Sequence, residues 1–153
     1  MSSVTESVDV NVPIHTAYNQ WTQFAEFPEF MEGVEEVSQV TETMTHWRVK
    51  VAGVTREFDA RITEQIPDER VAWHSTEGPD HAGVVTFHRT GEDTTRVTTQ
   101  MDVDPEGFVE NVADKSGLLK RQAKTNLKRF KEFIERRGRE TGEWRGNVDR
   151  PNP

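Results

Sequence analysis

The sequence predicts an α+β fold: an antiparallel sheet of about seven strands, curled around one long C-terminal helix, with two short helices after the first strand. Short runs with an apolar residue at every second position, separated by Gly-, Pro- and Asp-containing turns, give the strands. One long segment near the C-terminus spaces its apolar and small residues by three and four, the step of a single helical face. A one-faced sheet of this length twists and curls. Only one long helix is available to cover it, so the sheet should wrap the helix rather than lie flat beneath it.

The first strand is marked by Val4, Val8, Val10 and Val12 alternating with polar residues. Glu6 shares their parity and stands at the mouth of what that face lines, inside it, or at a solvated strand end, the last being the favoured reading. Pro13 opens a helix through about Thr22, with Ile14, Ala17, Tyr18 and Trp21 on one side. Phe24, Phe27, Phe30 and Met31 form a second short segment, broken at Pro28, which should push Phe27 out of the helical region.

From Gly33 the pattern becomes strands. Val34–Thr41 is followed by Met44–Val51, with Trp47, Val49 and Val51 inward and His46, Arg48 and Lys50 outward. After Gly53, the run 55–66 turns Phe58, Ala60 and Ile62 inward. Pro67 to Arg70 is a turn with proline at its second position. Val71, Trp73 and Ser75 then share a face, Gly78-Pro79-Asp80 turns the chain, and Val85 and Phe87 face inward before a hairpin at Thr90–Asp93. Val97, Thr99, Met101 and Val103 end the series.

Asp104-Pro105-Glu106 carries a capping carboxylate, a proline for the first helical position and an acid for the first turn. The stripe that follows is Val112, Ser116, Leu119, Ala123, Leu127, Phe130 and Ile134, opposite Lys120, Arg121, Lys124, Lys128, Arg129 and Lys131. Glycine costs about 1 kcal/mol against alanine inside a helix, so Ser116-Gly117 predicts a break between a short helix to about Lys115 and a long one from Leu118 to Arg137. The long helix would span roughly 30 Å. Gly138 is its stop. Residues 1–138 read as one domain and 139–153 as a polar, extended tail in which Trp144 is the one aromatic.

The chain has 153 residues, enough for one domain with a real core. It contains no cysteine, so disulfides and thiolate metal sites are excluded. No apolar run has the length of a signal peptide or a membrane span, and these absences lead to the expectation of a soluble cytoplasmic protein without integral membrane association. The net charge of −8 is uneven: residues 1–115 carry 8 basic and 22 acidic groups, and residues 116–153 carry 11 basic and 5 acidic. The overall sign repels polyanions at long range, so no nucleic-acid partner is expected, and the basic helix reads as docked on its own acidic body with its outer face in water.

Catalytic groupings are hard to find. His46, His74 and His88 take outward parity, and no His spacing suits a metal, so neither metal nor cofactor is expected. Ser75 is an inward hydroxyl beside Trp73, but no inward histidine is evident to act as its base, which points to a hydrogen-bonding role. The inward list has Trp47, Phe58, Trp73, Ser75, Phe87, Thr99 and Met101 from the sheet and Leu119 and Ala123 from the helix. An apolar cavity with a few polar points is the form of a small-molecule site, and it is equally the form of a packed core. Two tryptophans, whose N–H groups need partners when buried, tilt the reading towards a cavity.

Phe27-Pro28-Glu29-Phe30-Met31 with Gly33-Val34, Trp73-x-Ser75, Gly83–Phe87, Thr95-Arg96-Val97 and Asp104–Phe108, in this order, resemble the START-like superfamily. The nearest likeness is its polyketide cyclase/dehydrase and coenzyme Q-binding-like branch, over about residues 3–137. The resemblance implies a helix-grip fold around an apolar cavity and a hydrophobic ligand: a lipid, a quinone or a polyketide. It also implies two other possibilities, an aromatase/cyclase that promotes aldol closure and dehydration, and a protein-interaction module. In aromatase/cyclases a Trp-x-Ser-x-Arg run supplies a cation for enolate oxygens; the matching run here is Trp73-His74-Ser75-Thr76-Glu77, with a carboxylate where the cation is expected.

Overall fold

The computed structural model describes residues 2–31, 33–51, 53–78, 80–103 and 115–138. Seven strands form one sheet: β1 (Ser2–Val10), β2 (Val34–Gln39), β3 (Met44–Val51), β4 (Val54–Ile66), β5 (Arg70–Glu77), β6 (His81–Gly91) and β7 (Thr94–Val103). The spatial order is β1-β7-β6-β5-β4-β3-β2, and every neighbouring pair is antiparallel. Helix α1 (Ile14–Trp21) and a 3₁₀ turn (Phe24–Glu29) follow β1, and helix α2 (Lys115–Arg137) ends the described chain. This is the helix-grip α+β architecture that the alternation and the helical stripe predict.

Alternation decides which side of each strand is buried. On β4, Phe58, Ala60 and Ile62 are buried while Glu57 and Arg61 are exposed. Register shifts at Asp59/Ala60 and Ile62/Glu64 interrupt the β4–β5 ladder. Such bulges add local twist and bend the strand, and beyond the second one the parity changes, so that the polar Gln65 is buried.

The solid part of the interior lies at one end of the sheet. Trp21 of α1 packs against Phe27, Phe30 and Phe130 at ring-centroid distances of 5.2, 6.2 and 5.2 Å. Leu127, Phe130 and Ile134 supply the buried side of α2. The opposite side, Lys120, Arg121, Lys124, Lys128 and Arg129, is exposed. A polar latch joins α2 to β1: Lys131 Nζ donates to the Asp9 carbonyl at 2.8 Å and to Glu135 at 2.6 Å, and the Asn11 amide donates to Glu135 at 2.8 Å. Gly138 stops the helix with φ +72°, its N–H donating a hydrogen bond of 2.8 Å to the Ile134 carbonyl, the left-handed cap that glycine adopts without strain.

Two local expectations are corrected. Helix α2 runs unbroken from Lys115 through Ser116 and Gly117. Glycine's cost there, about 1 kcal/mol against alanine, is small beside the burial of Leu127, Phe130 and Ile134 on the same helix. Likewise the 3₁₀ turn continues through Pro28, with Phe27 inside it. Burial of Phe24 and Phe27 holds that turn against the restriction that proline places on its predecessor. The Asp104-Pro105-Glu106 start, the short helix before Lys115, Val112 and the tail 139–153 with Trp144 lie outside the described residues.

Candidate functional site: an apolar cavity under the long helix

A small residue on the long helix helps leave the other end of the interior hollow. Ala123 on α2 stands where a larger side chain would fill the gap between helix and sheet, and a partly enclosed cavity of about 180 Å³ opens there. Its wall is overwhelmingly apolar, and among the described residues no Asp, Glu, Lys or Arg lines it.

The aromatic part of the wall is a continuous row. Phe27 meets Trp47 at 5.6 Å, Trp47 stacks on Phe58 at 5.7 Å with 14° between the planes, and Phe58 meets the His81 ring edge-on at 4.5 Å. The Trp47–Phe58 stack follows from register, since the two are directly opposite on β3 and β4. The polar atom of Trp47 is already engaged: its Nε1 donates to Thr45 Oγ1 at 2.8 Å, and that hydroxyl donates to the Ala60 carbonyl at 3.0 Å. Trp47 therefore offers the cavity its ring faces rather than its N–H.

Of the nine residues singled out from sequence, Trp47, Phe58, Trp73, Thr99, Met101, Leu119 and Ala123 line this cavity. The structure places Phe87 and Ser75 elsewhere. Phe87 is buried further along β6, edge-on to Tyr18 of α1 at 5.5 Å. Ser75 turns its hydroxyl to the chain: Oγ accepts the His81 amide at 3.0 Å and lies 3.5 Å from Asp80 Oδ1. That is the hydrogen-bonding role expected of it, made within the protein. Glu77 is exposed at the end of β5 and brings no positive charge to the cavity.

The expectation that no histidine faces inward is overturned, because His81 is buried and lines the cavity. Its parity with Val85 and Phe87 carried the signal, but the Gly78-Pro79-Asp80 turn left the start of β6 undefined in the sequence. Gln122 and Asn126 also line the cavity. They lie three residues after Leu119 and Ala123, so the apolar stripe is flanked by an amide edge at helical spacing. With Thr99, these groups are the hydrogen-bonding points of an otherwise apolar chamber; the Thr99 hydroxyl has no hydrogen-bond partner among the described residues.

On the outer face of the same wall, behind Trp47 and Phe58, His46 bridges two carboxylates, with Nδ1 2.6 Å from Asp59 and Nε2 3.3 Å from Glu57. The hydrogen bond to Asp59, then that to Glu57, raises its pKa above the ordinary histidine value. Among the described residues no group of three His, Asp or Glu is placed to hold a metal ion, and no helix is long and apolar enough to cross a membrane.

A curled seven-stranded sheet gripping a long helix over an apolar chamber defines a START-like, helix-grip protein. Residues 10–132 match the family described as polyketide cyclase / dehydrase and lipid transport, and the chain belongs to that family. It is 61% identical, over 97% of its length and 99% of the relative's, to an uncharacterized 17.2 kDa protein from the melC2–rnhH intergenic region of Streptomyces lincolnensis. Two solved structures share the fold at low identity. The Zhui aromatase/cyclase from Streptomyces sp. R1128 superposes with TM-score 0.74 at 16% identity, over 94% of this chain and 99% of that one. A START superfamily protein from Mycobacterium smegmatis superposes with TM-score 0.69 at 14% identity, over 88% and 95%.

Proposed function

We propose that the protein binds a hydrophobic or amphipathic small molecule, of lipid, quinone or polyketide type, in the cavity between the sheet and α2. The observation that carries this reading is the chamber itself, an apolar-walled space far larger than one water needs. Removing an apolar guest from water into it is favourable at about 25 cal/mol per Å² covered. Trp47, Phe58, Trp73, Met101, Leu119 and Ala123 supply the walls, and Thr99 orients a polar end of the guest. Ser75 and Phe87 act behind the wall, Ser75 by fixing the His81 backbone and Phe87 by supporting β6 against α1. Binding needs only this chamber, whereas aldol closure of a poly-β-ketone also needs donors preset at an enolate oxygen, and Glu77 supplies none.

Titration with the neutral probe N-phenyl-1-naphthylamine, whose emission rises in apolar surroundings, tests the reading. Saturable binding is expected. The Ala123→Phe variant places a ring in the chamber and should weaken binding about tenfold or more while circular dichroism and the melting temperature stay close to those of the wild type. An absence of saturable binding, or equal affinity in the variant, would overturn the proposal.

A further inference from the structure

Trp73 and Gly83 are paired directly across β5 and β6. A Cβ at Gly83 would lie 2.5 Å from Cζ2 of the Trp73 indole and 2.9 Å from both Cε2 and Cη2. The benzene half of the indole thus rests on the strand at that position, closer than any residue with a side chain would let it come. Gly83 has no left-handed φ and lies within regular strand, so its backbone would accept any residue. What it lacks is room. Along β6, His81 and Val85 on either side line the cavity, as does Met101, the partner of Gly83 on β7. The empty side-chain position in the middle of this floor is occupied by the indole of Trp73.

We propose that Gly83 is a specificity-determining position: by lacking a Cβ it seats Trp73 against the sheet and keeps the chamber deep. This rests on the chamber being the binding site. A methyl at Gly83 would displace the ring by about 0.9 Å to restore ordinary contact, the gap between 2.5 Å and the 3.4 Å at which such contact begins. The ring is rigid and the strand lies beneath it, so the displacement goes into the cavity. In about 180 Å³ the lost depth excludes a large guest before a small one.

The test is a cycle of Gly83→Ala, Trp73→Phe and the double variant, with Nile red as the large neutral probe and N-phenyl-1-naphthylamine as the small one. Gly83→Ala should weaken Nile red about tenfold and the small probe clearly less. In the double variant, where a phenyl ring clears the added methyl, Nile red affinity should return to that of Trp73→Phe alone. Unchanged affinities in Gly83→Ala, or a loss that persists undiminished when Trp73→Phe is added, would overturn the proposal. Melting temperatures read the same cycle without a guest: a fall in Gly83→Ala that Trp73→Phe removes supports the seating contact, and one it leaves intact refutes it. Should Gly83→Ala fail to fold, the double variant is expected to fold, and its failure would count against the proposal. If the wild type binds neither probe, the chamber reading and the specificity role fall together, and the melting cycle identifies that failure separately.

Discussion

Replacing Phe130 by alanine should be among the most destabilising single changes on α2, and replacing Leu119, on the same face of the same helix, among the mildest. Phe130 has no exposed surface and is held between Trp21 at 5.2 Å and Phe30 at 5.3 Å. Truncating it removes a buried ring, leaves a void that its aromatic neighbours can only partly close, and forfeits two ring contacts. Such changes cost about 3–5 kcal/mol. For a chain of this size that corresponds to a fall in melting temperature of roughly 6–20 °C. Leu119 is only partly buried and borders space that is already empty, so its truncation forfeits about half of a leucine's burial, about 1 kcal/mol. Urea denaturation followed by circular dichroism measures both, provided the slopes match that of the wild type. A cost below about 1 kcal/mol for Phe130→Ala, or equal costs at the two positions, would refute a helix packed solid at one end and hollow at the other.

Two further changes probe charge. His46→Gln should lower stability relative to the wild type at about pH 5.5 and progressively less towards about pH 8.5. The folded pKa of His46 is raised by Asp59 and Glu57, so its contribution is complete below the unfolded pKa and lost as pH rises through the folded one; a gap that widened with pH would contradict the bridge. For Glu135→Gln the sign reverses. Partial burial disfavours the carboxylate, but the Lys131 ammonium and the Asn11 amide outweigh it and hold its pKa below the usual range. The variant should be less stable by roughly 1 kcal/mol at neutral pH. That difference should fade as the medium is acidified below about pH 4, and a pH-independent gap in urea midpoints would argue against the latch.

Periodicity made most of the architecture legible, because a strand's two faces differ by one residue and a helix face by three or four. Where the hollow lies was less legible. Phe87 has the inward parity of Val85, yet it stands two residues further along β6, under Tyr18, where the interior is filled. Parity names the face and is silent on how far along it the packing is solid. The small residues of the helical stripe, Ser116 and Ala123, announced a gap, and Ala123 lines it. Gln65 escaped for a different reason: a bulge after Ile62 inserts one residue and reverses the alternation. His81 was lost at an ambiguous strand start, and the break assigned to Ser116-Gly117 weighed glycine's local cost without the tertiary burial of Leu127, Phe130 and Ile134 that holds the helix.

The sheet order has a bearing on how the chain comes to its native form. Among the described residues the strand that pairs with β1 is β7, joining Ser2–Val10 to partners from Thr95 to Val103, and the latch at Asp9 and Asn11 waits for Lys131 and Glu135. During synthesis β1 stays without its strand neighbour until β7 has emerged. Sheet assembly can therefore begin among the hairpins β2 to β7, whose ends are near in sequence, and the closing of β1 with α2 carries the largest loop-entropy cost.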